Sequence, residues 1–440
     1  MMKLYTTVRD FFEGKLYTAL LLLASACFVI FGVEAYGAIV LLNVGAVALL
    51  FSENIIAAFT PALLACTFVI KCYDSAAVFL PLWWTALFPI LAIVAYLVIY
   101  KRKITVGKSF FGLLAVSFAV TLSGLFTVSP GEYFSGASLY YVVMLGFGML
   151  AAYLFIRAHT VENDRYDVFD KYVDIMICVG AFASFVVFEY YAVNFHTTLM
   201  AKQLANVQWS NNISTLLMIT MPFPLYRAKK SVWWLGLFAT EYAAILLAAS
   251  RGGWLMGSLE LVICLVVAFL FMGYGKKKKF LIAAMSVLVV VVGVVALVVM
   301  LEYLKNVNLS IKRDESRTRM FVRSFENLMA NPIFGIGISS GENADLYAGK
   351  QGTMVWYHMM IPQVVGSMGI LGIVCYFKQF KDRLLMVVKN AEPYVITLGL
   401  SYMGLLFMSQ VNPGEFCPLP YTLLAVVTFV LIEKRIEKRS

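Results

Sequence analysis

Charged side chains are scarce. Only 14% of the 440 residues are Asp, Glu, Lys or Arg, while 61% are hydrophobic, which leaves too little charge for the mixed, hydrated surface of a water-soluble domain. Alternating apolar segments of about ten residues, the mark of a membrane β-barrel, are also missing. Histidine is nearly absent: His159, His196 and His358 lie far apart and none belongs to a His-x3-His or Cys-x2-Cys pair, so no metal cofactor is expected. Five of the seven cysteines, Cys27, Cys66, Cys178, Cys264 and Cys375, fall inside apolar runs, where a thiol acts as a small apolar group. Only Cys72 and Cys417 fall in segments where they could pair. There is no soluble domain, low-complexity linker or internal repeat.

What the chain does have is a succession of unbroken apolar runs near helix-spanning length. They lie near 16–33, 35–50, 54–70, 81–100, 109–127, 137–157, 173–191, 212–226, 232–249, 254–272, 280–301, 358–377, 393–409 and 419–432. The expected fold is therefore an all-α polytopic integral membrane protein of about fourteen transmembrane helices. Residues 1–301 hold the first eleven, 302–357 form one large extracytoplasmic loop, and 358–440 hold the last three and a cytoplasmic tail. Ala24, Ser25 and Ala26 mimic a signal-peptide cleavage site, but the apolar run continues past them, so residues 1–33 are expected to stay in the membrane.

Charge tests the parity, because cytoplasmic segments collect Lys and Arg. With both termini in the cytoplasm, 25 of the 35 Lys and Arg residues fall inside, among them Lys101, Arg102, Lys103, the run Lys276 to Lys279, Lys378, Lys381 and Arg383. Seven of the ten outside lie in 302–357, which leaves Lys71, Lys202 and Arg251 in short outer segments. The net charge of +10 is thus topology and headgroup attraction, and no nucleic-acid partner is expected.

The outer segment 302–357 is too long for a turn and is where function is sought. Asp314 to Ala330 reads as an amphipathic helix, capped by Asp314 or Ser316, with Phe321, Phe325, Leu328 and Met329 on its apolar side. Arg317 projects toward that side and would need a buried anion or a wet cavity. Arg319 and Arg323 lie opposite with Glu326 and can simply be solvated or paired. Pro332 stops the helix, and Gly335, Gly337 and Gly341 make the next stretch a flexible turn with N–H groups open to a phosphate or sugar. Trp356 and Tyr357 suit the interfacial belt. His358 sits at or just before the next helix, where the dipole favours a neutral ring that can accept a proton; an interfacial histidine bonded to water is the plain alternative. Gly366, Gly369 and Gly372 follow at three-residue spacing and permit close backbone approach.

Arg251, in a tight turn Ser250–Gly253 between runs, either snorkels to headgroups or holds a substrate anion. Glu241 and Glu260 lie inside neighbouring runs, pairing with Arg251 or with each other through a shared proton; structural and proton-handling roles are both open.

Three pieces together resemble the O-antigen ligase and O-antigen polymerase family of bacterial inner membranes. They are the Ser-Arg-Gly-Gly at Ser250 to Gly253, the stretch Ser316 to Gly337 with its Ser-Arg, helix and Asn-Pro-x-x-Gly-x-Gly, and His358 followed by Gly369 and Gly372. Trp209 to Ser214, ahead of Pro222 and Pro224, is similar to the family's Asn-rich start of a span. Met359 stands where ligases of the family usually carry a polar residue, and Phe321 where Trp is common. The resemblance covers mainly residues 205–380. It implies a GT-C-like, metal-independent glycosyl transfer on the outer face of the cytoplasmic membrane, from an undecaprenyl-diphosphate-linked glycan to a glycan or lipid-borne sugar acceptor. It implies His358 as the base and Arg251 and Arg317 as diphosphate ligands, with Arg319 or Arg323 as helpers. No cofactor is implied. The rival readings are a transporter or flippase of a lipid-linked glycan, against which no repeated halves or broken helices are evident, and a membrane scaffold.

Cysteine accessibility checks the topology. In a cysteine-free background, Ser316→Cys is expected to react with a membrane-impermeant maleimide in intact spheroplasts, and Lys277→Cys only after permeabilisation. The reverse pattern overturns the assignment of sides.

Overall fold

The computed structural model describes residues 2–70, 76–126, 136–160, 167–194, 210–284, 287, 312–338, 343 and 357–439. Lys71, Cys72, His196, Lys202, Trp209, Gly341, Trp356 and most of 280–301 lie outside these. Every regular element among the described residues is helical. The first are α1 (Met2–Phe12), α2 (Lys15–Ile30), α3 (Glu34–Phe51), α4 (Ile55–Ile70), α5 (Leu87–Ile99) and α6 (Phe110–Leu122). Next come α7 (Gly136–Val143), α8 (Met149–His159), α9 (Val168–Val193), α10 (Ser210–Thr220), α11 (Pro222–Ala228), α12 (Trp234–Leu247) and α13 (Arg251–Phe271). Then follow α14 (Lys312–Ala330), α15 (Met360–Lys389), α16 (Pro393–Ser409) and α17 (Leu423–Glu437).

Apart from 280–301, each apolar run expected from the sequence coincides with a helix or a consecutive set of helices. Among the described residues six helices are long and apolar enough to cross a membrane, or seven if α1 and α2, bent by 60° to each other, make one span. Apolar side chains such as Leu91, Val98, Phe185, Leu255, Val266 and Phe377 stand exposed on the outside. Such a surface needs lipid as its solvent. All-helical among the described residues, the chain is a multi-pass membrane protein.

Among the described residues helical runs are interrupted at Gly146 and at two further places, contrary to the expectation of unbroken spans. Between α10 and α11, Pro222 and Pro224 withhold the N–H groups that would continue the ladder past Met221. In α15 the break is at Gly369 (φ 61°, ψ −153°), a conformation that suits glycine alone.

The arginines buried among the helices are paired. Arg157 of α8 donates to Glu433 of α17 at 2.7 Å and also to Glu437; Tyr153 donates to the same Glu433 oxygen at 2.8 Å. Arg383 is a correction to the inside–outside count. Lys378 and Asp382, 2.7 Å apart, end the hydropathic run, yet α15 continues to Lys389 and turns Arg383 inward. There Arg383 donates to the Tyr402 hydroxyl at 2.6 Å and pairs with Glu415. Removing one partner of such a pair costs about 3–5 kcal/mol, because the other is left charged and dry.

The break in α15 is filled by residues 332–337. An unbroken helix would bond Ile370 N to Gly366 O and Leu371 N to Ser367 O. Both bonds are open, and all four groups are satisfied by residues 332–337. Ile370 N donates to Pro332 O at 2.8 Å and Leu371 N to Ile333 O at 3.1 Å, while Ile336 N and Gly337 N donate to Gly366 O and Ser367 O at 3.1 and 2.9 Å. Gly335 N donates to Asn331 O, and Phe334 O accepts from Gly124 N beside α6. The expectation that this stretch offers N–H groups to a phosphate is therefore corrected for residues 335–337, whose N–H groups are bonded to main-chain carbonyls; residues 339–341 lie outside the described residues.

The orientation of α14 also differs from expectation. Met320, Ser324 and Asn327 are its buried stripe, whereas Phe325 and Met329 are exposed. Polar residues can occupy the buried side because they are bonded there: Ser324 donates to Phe321 O at 2.7 Å, and Asn327 donates to the Tyr357 hydroxyl at 2.5 Å. The side chains of Asp314 and Ser316, the expected caps, lie outside the described residues, and the helix begins upstream at Lys312.

The junction predicts its own weak points. A Cβ on Gly369 would meet Pro332 O at 2.6 Å, and one on Gly335 (φ 64°) would meet Met368 N at 2.5 Å, while Gly236 has open space. Gly369→Ala and Gly335→Ala are each expected to cost more than the ~1–2 kcal/mol of a left-handed residue, since backbone must also move. Thermal melts in nanodiscs should show both well below wild type and Gly236→Ala at or above it; equal melting of all three would remove the junction's importance.

Candidate functional site

On the side of the protein where α10, α13 and α15 begin, three sequence features meet at one turn. That turn is Gln410 to Asn412, directly after α16.

The first feature is the start of α13. Ser250 is its N-cap, accepting from Gly253 N at 3.0 Å through Oγ and donating to Asn211 Oδ1 at 2.6 Å. Arg251 is consequently the first residue of the helix and is exposed, not part of a loop between spans as expected. Gly252 packs on the turn, since a Cβ there would meet Val411 Cγ2 at 2.6 Å. Gly253 packs equally closely on Ser214 of α10. The two glycines let three segments approach at the place where the guanidinium emerges.

The second is α14. Arg317 is exposed, and its Nη2 donates to Val411 O at 3.4 Å. It does not face a dry core, because the buried stripe runs through Met320 and Ser324 instead. Arg319 is exposed, and Arg323 pairs with Glu326 at 3.7 Å within the helix.

The third is the start of α15. His358 is half-buried and has φ 28°, an uncommon conformation for a side chain with a Cβ. It precedes an extended N-cap, Met359, and helical Met360. Tyr357 fixes the approach: its N–H donates to Gln363 Oε1 at 3.0 Å and its hydroxyl accepts from Asn327. Gln410 Nε2 lies 3.6 Å from Met360 Sδ, which ties the helix start to the same turn.

The structure thus brings Arg251, Arg317 and the segment bearing His358 around Gln410 and Val411. It places Arg319 and Arg323 elsewhere on α14. Glu241 and Glu260, expected to pair with Arg251 or with each other, make no ion pair with Arg251: Glu241 Oε2 bonds Thr220, and neither oxygen of Glu260 has a hydrogen-bond partner among the described residues. Sequence reasoning missed the Gln410–Asn412 turn and Asn211. The polar Gln-Val-Asn-Pro-Gly after an apolar run was visible as a turn, but nothing in it marked the contacts with α13, α14 and α15.

Electrostatically the place suits an anion. Two guanidinium groups and the starts of α10, α13 and α15 all contribute positive potential. Among the described residues no three His, Cys, Asp or Glu side chains group as metal ligands.

In comparisons with known proteins, no curated protein and no solved structure matches this chain. The family described as O-antigen ligase matches residues 235–377, about a third of the chain. The matched segment includes Arg251, α14, the junction with α15 and His358. Through residues 235–377 this chain is similar to the O-antigen ligase family.

Proposed function

We propose that the chain transfers a glycan from undecaprenyl diphosphate to a glycan or lipid-borne sugar on the outer face of the bacterial cytoplasmic membrane. The observation that carries the reading is the convergence of Arg251, Arg317 and the His358 segment on the turn at Gln410 and Val411. The proposal includes about fourteen spans in a GT-C-like arrangement with both termini in the cytoplasm.

In the reaction an acceptor hydroxyl attacks the anomeric carbon, the bond from that carbon to the diphosphate oxygen breaks, and the hydroxyl proton passes to His358. The leaving diphosphate gains negative charge as it departs. Arg251 and Arg317 hold that charge in fixed positions, the task a divalent cation performs in other transferases, so the transfer is metal-independent. Placement before a helix N-terminus keeps His358 neutral and able to accept the proton. Arg319 and Arg323 are auxiliary, reaching glycan or headgroup phosphate along α14. A polymerase and a ligase share this donor chemistry and differ in the acceptor.

A flippase is the second reading, favoured by one observation: the interruptions at Met221 and Gly369 are of the kind transporters use. Reconstitution separates the two. Purified lipid-linked repeat units should yield longer glycans in the presence of the protein, whereas movement of the lipid without new glycosidic bonds would establish the flippase.

Arg251→Ala and Arg317→Ala are each expected to reduce transfer about 10²–10³-fold, and His358→Ala about 10²–10⁴-fold. His358→Ala should also remove the acid limb of the pH–rate profile. Variants of normal membrane abundance that leave surface glycan length and amount unchanged would overturn the reading.

A further inference from the structure

Away from the outer face, one layer of the helix bundle holds two carboxyl groups with no countercharge. Glu241 of α12 and Glu260 of α13 are both fully buried. They lie at equal depth because each is about nine residues from the α12–α13 turn. Around them stand Gly180 of α9, Met218 and Thr220 of α10, and Gly404 of α16. A Cβ on Gly404 would meet Glu260 Oε1 at 2.5 Å, Glu260 Oε2 at 2.8 Å and Met218 O at 2.8 Å. These three oxygens therefore crowd a single point. A Cβ on Gly180 would likewise meet Glu241 Oε1, with Thr220 Oγ1 at 2.7 Å.

Oxygen atoms crowd here without donors. Glu241 Oε1 and both oxygens of Glu260 have no hydrogen-bond partner among the described residues. Met218 O has lost its helical partner as well, since the residue four positions on is Pro222, which carries no N–H. Thr220 Oγ1 lies 3.0 Å from both Leu217 O and Glu241 Oε2. A hydroxyl has one proton, and a carbonyl can only accept. Leu217 O already accepts from Met221 N at 2.8 Å, so the Thr220 hydroxyl can donate to Glu241 Oε2. No Lys, Arg or His among the described residues pairs with either carboxyl; the nearest other titratable group is Cys264, one turn along α13.

Two bare carboxylates cannot persist in such a place. Glu241 has the Thr220 hydroxyl, whereas Glu260 has no donor among the described residues and needs a positive partner; the two oxygens of its carboxyl together with the freed Met218 carbonyl offer three hard ligands for one. We propose that Glu260, Met218 O and Glu241 form an intramembrane site for a small monovalent cation, a proton or a sodium ion, distinct from the glycan site. Carbonyls freed by a helix interruption, facing a buried carboxylate, are the arrangement by which membrane proteins take up such ions.

Infrared spectra of the full-length protein in nanodiscs test it. In acidic buffer with N-methylglucamine chloride, wild type should show a protonated-carboxyl C=O band that Glu260→Gln removes, with Glu241→Gln identifying the second acid. Loss of the Glu260 band as pH rises identifies the proton as occupant. Loss at fixed pH when sodium chloride replaces N-methylglucamine chloride identifies sodium as a competing occupant. Pro222→Ala, which returns an N–H to Met218 O and leaves both carboxyls intact, should then raise the half-effective sodium concentration about tenfold, roughly one ligand's worth. A Glu260 band that ignores both pH and sodium would show a permanently neutral structural acid and overturn the proposal. So would spectra in which wild type and Glu260→Gln coincide.

Discussion

Four main-chain hydrogen bonds between residues 332–337 and the break in α15 hold the rest of this face of the protein in register. An interrupted helix inside a membrane leaves carbonyl and N–H groups bare at a cost of several kcal/mol each. The outer segment is an irregular strand of chain with the same problem. Each satisfies the other, and glycine at 335 and 369 is what lets the two backbones touch. Because α14 runs directly into this junction, and because Asn327 meets the Tyr357 hydroxyl, the position of Arg317 and the approach to His358 follow from it.

The distribution of charge separates structural from available cations. Arg157, Arg227 and Arg383 are buried and engaged by carboxylates: Glu433, Asp170 with Asp174, and Glu415 respectively. They clamp helices, and their charge is spent locally. Arg251 instead stands exposed at a helix start, where the surrounding potential is already positive, and Arg317 stands exposed on α14. Neither forms an ion pair with a carboxylate among the described residues, which leaves both available to a ligand bearing several negative charges.

Most helices were legible because hydropathy reports what a bilayer demands, and because Pro and Gly punctuate the ends. The side of α14 was not. The pattern of Phe321, Phe325, Leu328 and Met329 marks an apolar side correctly, but in this setting apolar side chains also tolerate exposure, while Ser324 and Asn327 are bonded inward. Arg383 was misplaced for a related reason: a charged cluster looks like the end of a span whether or not one of its members turns inward to a carboxylate 32 residues later. The outer cluster was legible in part, since Ser-Arg-Gly-Gly and His358 carry recognisable patterns. Gln410 and Val411 contribute through a backbone carbonyl, a thioether contact and van der Waals contact, none of which leaves a mark in residue type.

The exchange of hydrogen bonds at Gly369 has a mechanical side. An ordinary loop rests on a helix through side chains and can slide; this one is threaded into the helix's own bonding ladder and cannot. Any tilt or rotation of α15 within the bilayer is therefore delivered without slack to residues 332–337, and through the end of α14 to the arm that carries Arg317. Helix and outer arm behave as a single lever whose fulcrum is a glycine.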